Sequence, residues 1–130
     1  IDGHVFHVLN FHGMPLPGHK QDDPPRINAS QGIISFFHSK RGPKIIGGDF
    51  NLLPETKSIR MFEEHGYVDH IRAQAIPTTR NRLAWAKYPD NKQYHADYVF
   101  TSADVAVKNF AVPVCEVSDH LPLFLEIELS

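Results

Sequence analysis

The sequence predicts an α/β protein with a mixed β-sheet and helices on one face. The first supporting observation is the order of its early elements. Two strand-like stretches, residues 4–12 and 43–50, flank a helix-like stretch at residues 25–40. This is the order of a βαβ unit, whose two strands run parallel. The second observation is that strand-like stretches follow one another closely from residue 95 onward, so we expect antiparallel pairs among them.

The elements of the first half have local signals in the sequence. Residues 4–12 are rich in Val, Phe and Leu, and a loop rich in Pro and Gly follows them. Residues 25–40 have apolar side chains near helical spacing, and Pro25 suits a first helical turn, although Gly32 weakens the pattern. A second, shorter helix is predicted over residues 54–66, with Gly66 at its end.

The second half contains three further strand-like stretches, residues 95–102, 105–112 and 121–129. The last of them alternates, which places these side chains on one face: Leu123, Leu125, Ile127 and Leu129. Residues 76–93 are polar and irregular, so we predict a loop there.

Composition limits the possible functions. A chain of 130 residues corresponds to one domain or part of one, and its net charge of −2 excludes a broad basic surface for non-specific DNA binding. Cys115 is alone, so an internal disulfide is excluded. We expect no membrane segment, because no apolar run approaches the length of a span. The compartment stays open, with the cytoplasm as the default expectation.

Polar motifs stand at the ends of the predicted strands. "NFH" ends the first strand and "GDFN" the second, whereas "HAD" opens the third and "SDH" precedes the last. If the latter two strands run opposite to the first two, all four motifs reach the same rim of the sheet, where open sheets bind ligands. Residues two apart on a strand share a face, so Asn10 lies beside His12, and Asp49 beside Asn51.

The assembled side chains suit phosphate-ester hydrolysis. Carboxylates can hold a hard cation, and an Asp can orient or deprotonate a water. Imidazoles and amides can donate to phosphate oxygens as charge develops. His120 fits this role if a carboxylate such as Asp97 fixes its tautomer. The full set is Asn10, His12, Asp49, Asn51, Asp97, Asp119 and His120.

The stretches "NFH", "GGDFN", "HADYVFTS" and "SDHLPL", in this order, resemble the C-terminal half of the endonuclease/exonuclease/phosphatase family. The resemblance covers essentially the whole chain, residues 1–130, as one half-domain. It implies half of a DNase I-like four-layer α/β sandwich, in which two packed sheets carry outer helices. It also implies a hydrolase that uses Mg²⁺, or Mn²⁺, to cleave phosphodiesters or phosphomonoesters.

The resemblance also implies roles for the residues of the first two motifs. Asn10 and His12 resemble the amide and the imidazole that contact the phosphate. Asp49 resembles the residue that orients or deprotonates the attacking water, and Asn51 its support.

The last two motifs imply further roles by the same resemblance. Asp97 resembles the acid that pairs with the catalytic histidine, and His120 resembles that histidine. Asp119, together with Asp49, resembles a metal ligand. Ala96 departs from the family, which usually has Ile or Leu before this aspartate.

Length is the larger departure from the family. Its domain is about twice as long, and its N-terminal half supplies an Asn and a metal-binding Glu that nothing here matches. Glu55 and Glu63 lie on a predicted helix and do not replace that Glu by motif. We therefore expect the chain to be a piece of a longer protein, a half-length relative or one of two paired copies. A lone half exposes an apolar sheet face, so we expect a homodimer or pairing with an N-terminal half.

Several alternatives stay open at this point. The chain could be a catalytically incomplete half-domain that acts as a binding or assembly module. Asp49 and Asn51 could cap the turn before the second helix. Trp85 and Tyr88 could stack on a base, although packing is the simpler interpretation. The histidines are scattered and Cys115 is single, so we expect no dedicated zinc site.

The substrate is the least determined feature. Residues 72–92 contain five basic residues and one acid, which could steer a phosphate-bearing substrate or simply form a solvated loop. The substrate could be a nucleic acid or a smaller phosphate ester, and the mild acidity of the chain fits the smaller ester at least as well.

Overall fold

The computed structural model describes residues 3–128, which contain six strands and four helices. In chain order the elements are β1 (His7–His12), α1 (Pro24–His38), β2 (Lys44–Asp49), α2 (Lys57–Glu64), β3 (Tyr67–Asp69), α3 (His70–Ala73), α4 (Arg82–Lys87), β4 (Asp97–Ser102), β5 (Ala106–Ala111) and β6 (Phe124–Glu128). No helix in this described part has the length and apolar composition needed to cross a membrane.

The main sheet is mixed and has the strand order β1-β2-β4-β3. β1 and β2 are parallel and α1 connects them, which confirms the predicted βαβ unit. β4 runs antiparallel to both β2 and β3. β5 and β6 form a separate antiparallel pair instead of extending the main sheet. The α/β class with a mixed sheet is confirmed.

One aromatic side chain organises the core between the sheet and the two longer helices. Phe50, 1% exposed, follows β2 directly, and its ring centroid lies 5.1 Å from that of Phe11 and 5.7 Å from that of Phe62. It also contacts Tyr98 and Phe100 of β4, at 5.8 Å and 5.5 Å. Because Phe50 adjoins Asp49, the packing of this ring also fixes the position of the polar end of β2.

The alternation of β6 is confirmed where the structure describes it. Leu125 and Ile127 are half-buried, whereas Phe124, the first residue of β6, is 49% exposed. Leu123 is also half-buried. Leu129, the last member of the predicted apolar face, lies outside the described residues.

The prediction of a loop over residues 76–93 is wrong in part, because α4 lies within it. Asn81 caps this helix by accepting a hydrogen bond from the Leu83 backbone N–H at 3.0 Å. Ala84 is its buried residue, so no apolar periodicity announces the helix. β3 and α3 were also not predicted, and elements of three and four residues are too short to show a pattern.

The second helix begins at Lys57 instead of Pro54. Its first turn is capped by Asp22, a residue of the loop between β1 and α1. The Asp22 carboxylate accepts hydrogen bonds from the backbone N–H of Lys57 at 2.7 Å and of Ser58 at 3.0 Å. The structural alternative for Asp49 and Asn51, capping of the turn before this helix, is observed in part, because Asp49 Oδ1 accepts from the Asn51 backbone N–H at 2.9 Å.

Candidate active site

Three neighbouring strands bring three of the predicted residues into one row. In the sheet register His12 is the partner of Asp49, and Asp49 is the partner of Asp97. Side chains in register across a sheet lie on the same face. The predicted meeting of the strand ends at one rim is therefore confirmed for these residues. An isolated bridge between Arg80 and His120 adds the segment before β6 to this rim.

Asp97 and His120 form the tightest polar contact of the site. His120 Nδ1 lies 2.9 Å from both carboxylate oxygens of Asp97 and donates to them. This hydrogen bond raises the pKa of His120 above its ordinary value, against the opposing effect of burial. The other ring nitrogen, Nε2, faces the cavity 3.8 Å from Asp49 Oδ2. The imidazole is thus oriented and has one free nitrogen.

The two carboxylate oxygens of Asp49 have different roles. Oδ1 accepts a hydrogen bond from the Asn51 backbone N–H at 2.9 Å, which fixes the carboxylate. Oδ2 lies 3.8 Å from Nε2 of both His12 and His120. Asn51 has a left-handed backbone with φ 52°, and its side chain donates to the Gly13 carbonyl at 3.1 Å. Asn51 therefore holds the ends of β1 and β2 together beside the carboxylate.

Thr79 joins the Asp97 strand to the His120 segment. Its buried hydroxyl oxygen accepts from the backbone N–H of Ala96 at 3.1 Å and of Asp97 at 3.3 Å. Its carbonyl accepts from the Leu121 backbone N–H at 2.9 Å. A single residue thus sets the spacing between Asp97 and His120, and it was not predicted, because nothing in its sequence context distinguishes it from a loop threonine.

Asp119 is paired with Arg80. The Arg80 guanidinium donates to Asp119 Oδ2 at 3.0 Å and to the Asp119 carbonyl at 3.2 Å. Burial raises the pKa of the Asp119 carboxyl, but Arg80 and His120 outweigh burial and hold that pKa below its ordinary value. Asp119 is therefore an anion at neutral pH. Its predicted role as a metal ligand stays a prediction.

These groups border a cavity of about 320 Å³. Of the predicted residues, five line it: His12, Asp49, Asn51, Asp119 and His120. Asn10 and Asp97 do not line it. Asn10 is exposed on the same face of β1 as His12, so the structure places it at the rim without bringing it into the cavity. Asp97 lies behind His120.

Several side chains of the site could hold the predicted cation. Carboxylate and imidazole atoms of Asp49, Asp97 and His120 all lie within 4.8 Å of one another. Asp97 is occupied by His120, so Asp49 and Asp119 are the carboxylates that face the cavity. Mg²⁺ is commonly held by one or two carboxylates together with waters and substrate phosphate oxygens. The residues present fit such a partly protein-bound ion.

The basic stretch of residues 72–92 does not act as one patch. Arg82 forms a surface ion pair with Glu116, with two N–O distances of 2.6 Å, and Arg72 contacts Glu63 at 3.0 Å. Arg80 is different, because it is 8% exposed and lines the cavity. The interpretation as a solvated loop is therefore wrong for this arginine.

Two aromatic residues also belong to the lining of the cavity. Trp85 and Tyr88 line the cavity, and the Trp85 ring packs on Tyr94 at 5.1 Å. The Trp85 indole N–H donates to the Gln93 carbonyl at 3.0 Å. Packing, the simpler interpretation of Trp85, is thus observed together with exposure to the cavity.

Lys20 also lines the cavity and was not predicted as a site residue. The available sequence signal was a single basic residue in the Pro/Gly loop that directly follows the "NFH" motif.

Solved structures with this fold come from several organisms. A conserved protein of unknown function from Enterococcus faecalis V583 has a TM-score of 0.68 and 19% identity, covering 93% of this chain and 49% of its own. The mannosyl-6-phosphatase Bt3783 of Bacteroides thetaiotaomicron VPI-5482 has a TM-score of 0.57 and 20% identity, covering 97% and 51%. The human nocturnin catalytic domain, solved with a bound sulfate, has a TM-score of 0.59 and 15% identity, covering 95% and 46%. At these identities the likeness shows the DNase I-like fold.

The chain spans about half the length of these structures. No curated protein matches its sequence significantly. The sequence model of the endonuclease/exonuclease/phosphatase family matches residues 6–120, from β1 to the histidine that Asp97 orients. The chain belongs to the endonuclease/exonuclease/phosphatase family.

Proposed function

We propose that the chain carries the reacting residues of a divalent-metal-dependent phosphoesterase, which hydrolyses a phosphate ester with an activated water. The observation that carries the proposal is the arrangement of His120. Asp97 holds its Nδ1 at 2.9 Å, and its free Nε2 faces Asp49 across the cavity, 3.8 Å from Oδ2. An oriented imidazole beside a fixed carboxylate is a common basis for acid–base chemistry.

In this proposal His120 is positively charged and donates a proton to the phosphate. Its raised pKa keeps a larger fraction of the imidazole protonated near pH 7 than in an isolated histidine. The proton on Nε2 can then be donated to a phosphate oxygen as charge develops. Asp97 holds the tautomer and the ring orientation, so it acts through His120.

Asp49 orients or deprotonates the attacking water. Its Oδ1 accepts from Asn51, whereas its Oδ2 lies 3.8 Å from the nearest imidazole nitrogens and accepts no hydrogen bond from residues 3–128. A water held at Oδ2 would face the same volume as His120 Nε2. His12, whose side chain is 75% exposed, lies 3.8 Å from Oδ2 and can donate to the other side of a bound phosphate.

The divalent ion, Mg²⁺ or Mn²⁺, would be held by Asp49 and Asp119 and would neutralise charge on the phosphate oxygens. Arg80 balances the charge of Asp119 at 3.0 Å, so this carboxylate is fixed in orientation before any ion arrives.

A small phosphate ester is the favoured substrate class. A cavity of about 320 Å³ is at the lower end of the range for ligand pockets, roughly 300–1,000 Å³. It accommodates a phosphate and a compact group, and its lining includes Trp85 and Tyr88. The relatives include a mannosyl-6-phosphatase and a protein that binds sulfate, an anion similar to phosphate. The net charge of −2 gives little electrostatic support for binding duplex nucleic acid.

A partner that completes the domain is part of the proposal. The chain spans about half the length of the solved structures that it matches. Val8, 69% exposed, lies on the same face of β1 as Asn10 and His12. A second copy of this chain or an N-terminal half would cover this apolar side chain. The same half-length match favours the second candidate function, a catalytically incomplete binding or assembly module.

Hydrolysis of two chromogenic esters tests the proposal. The wild-type chain should hydrolyse p-nitrophenyl phosphate or bis-p-nitrophenyl phosphate with Mg²⁺ and lose this activity in EDTA. Asp49→Ala and His120→Ala should each lower kcat by roughly 10²-fold or more, because each removes an acid–base group. His38→Ala, in an exposed position at the end of α1, is the matched control and should change nothing. Activity that survives both site substitutions would refute the proposed site, whereas a wild type without activity favours the binding module.

A further inference from the structure

Lys20 has an unpaired charge at the wall of the cavity. Its side chain is 6% exposed, and Nζ has no hydrogen-bond partner within residues 3–128. Burying an ammonium group without a partner is costly. Its backbone is also left-handed, with φ 54°, a conformation that glycine adopts with less strain. Two unfavourable features at one residue indicate that the side chain has a use that the free protein does not show.

The loop that carries Lys20 is held firmly. The buried Arg26 guanidinium donates to the carbonyls of Met14 at 3.1 Å, Pro17 at 2.7 Å and Gln21 at 2.9 Å. The Lys20 carbonyl accepts from the Leu53 backbone N–H at 2.9 Å. These bonds satisfy backbone groups on both sides of Lys20 and leave its ammonium group unbonded. Its place beside the cavity therefore follows from an ordered loop.

Lys20 and Arg80 differ in their charged neighbours. Burial lowers the pKa of Lys20 most, Arg80 lowers it further, and the carboxylates of Asp49 and Asp97 oppose both effects. Arg80 already has an anionic partner, because it donates to Asp119. Within residues 3–128 the ammonium group of Lys20 has no such partner, so its N–H donors are available to an anion.

We propose that Lys20 is a substrate-binding residue that donates to an oxygen of a terminal phosphate group, with Arg80 as the second cation of the same wall. The inference rests on the proposed function and names its substrate class, a phosphomonoester. The flexible side chain can swing the ammonium group into the cavity without moving the backbone.

Charge favours a monoester over a diester. A phosphomonoester carries nearly two negative charges at pH 7, against one for a diester, so a pair of cations such as Lys20 and Arg80, which both line the cavity, discriminates in its favour.

Binding of inorganic phosphate, measured by isothermal titration calorimetry, tests the inference directly. Lys20→Met should weaken phosphate binding by about 10- to 100-fold, the usual effect of losing a hydrogen bond to a charged group. Lys20→Arg should stay within a few-fold of the wild type. Lys108→Met, an exposed position on β5, is the matched control and should bind as the wild type does.

Thermal unfolding separates this role from a structural one. A lysine that supports the fold loses stability on replacement, whereas removal of an unpaired buried charge should leave Tm of Lys20→Met equal or higher. Lys20→Gln serves as a second neutral variant if the methionine variant does not fold. In the wild type, phosphate should shift the NMR signal of the Lys20 Cε, which requires no substitution.

Hydrolysis distinguishes failure of this inference from failure of the proposed function. Lys20→Met should lower kcat/KM for p-nitrophenyl phosphate more than for bis-p-nitrophenyl phosphate. Equal loss for both esters, phosphate affinity that does not depend on Lys20, or a wild type that binds no phosphate would overturn the inference even if hydrolysis depends on His120. Lys20-dependent phosphate binding in a protein without hydrolysis would support the anion site and count against the proposed function.

Discussion

Replacing Gly48 with alanine should remove a large part of the stability of the sheet that carries the site. Gly48 lies in β2 opposite Phe11 of β1, with φ +134°. A Cβ atom there would overlap the Phe11 carbonyl oxygen and lie 2.9 Å from both the Phe11 backbone nitrogen and Asn10 Oδ1. Most of these atoms are backbone, so relief requires β1 to move away from β2. The φ value is unfavourable for any residue with a Cβ.

The cost can be built from its two parts. Backbone strain contributes about 1–3 kcal/mol. Forcing extra volume into a packed position typically adds about 1–3 kcal/mol. The expected loss is therefore about 2–6 kcal/mol, a large share of the roughly 5–15 kcal/mol that stabilises a domain. Since β1 carries His12, the same displacement should also separate His12 from Asp49 and lower any phosphate affinity.

Urea unfolding followed by Trp85 fluorescence measures this loss through the shift of the midpoint at constant slope. Gly32→Ala is the matched control. Gly32 lies within α1, and an added Cβ meets nothing within 4 Å, so this variant should be about 0.5–1 kcal/mol more stable than the wild type. If the free energy of unfolding of Gly48→Ala lies within about 1 kcal/mol of the wild-type value, the expected strain and overlap are absent, and the close approach of β1 and β2 is wrong.

Two further predictions concern the histidine and the partner. Asp97→Asn should lower the pKa of His120, read from its NMR titration. The pKa of His120 is raised on folding, so its contribution to stability is complete below the unfolded value of about 6.5 and is lost as pH rises through the folded value. The stability lost in Asp97→Asn should thus be larger at pH 6 than at pH 8, and an unchanged His120 pKa would contradict the pairing. In sedimentation the wild-type chain should dimerise, and Val8→Asp should weaken the dimer while Val114→Asp, at an 89% exposed loop position, should not. A stable monomer at the highest soluble concentration argues against a second copy as the partner.

The parts of the fold that were predictable depend on local patterns. The βαβ unit follows from two apolar stretches around a helical one; α1 and β2 lie within two residues of their predicted bounds, and β1 begins at His7, three residues later than predicted. The row of His12, Asp49 and Asp97 follows from motifs at strand ends and from antiparallel pairing of β4 with β2. In each case the strands and motifs themselves are local patterns, visible in a short window of sequence, and the pairing of the strands then brings the motifs together.

The parts that were not predictable depend on contacts between distant residues. Asp22 caps α2 across 35 residues, and no pattern near Lys57 indicates this. Thr79 holds Asp97 across 18 residues. Arg80 belongs by composition to a polar loop, and its burial becomes evident when the His120 segment pairs with it. Such residues are ordinary in sequence because their partners, and not their neighbours, define what they do.

The sequence by itself determined which chemical groups this protein has and the strand ends at which they stand, because strand periodicity and motif position are local properties. The contact of His120 with Asp97 was expected from the motifs, whereas tertiary structure alone decided the other pairings. It occupied Asp119 with Arg80 and, within residues 3–128, left the ammonium group of Lys20 without a partner at the cavity. The physical reason is that burial and charge pairing depend on distances in space, and these are set when the loops fold against the sheet.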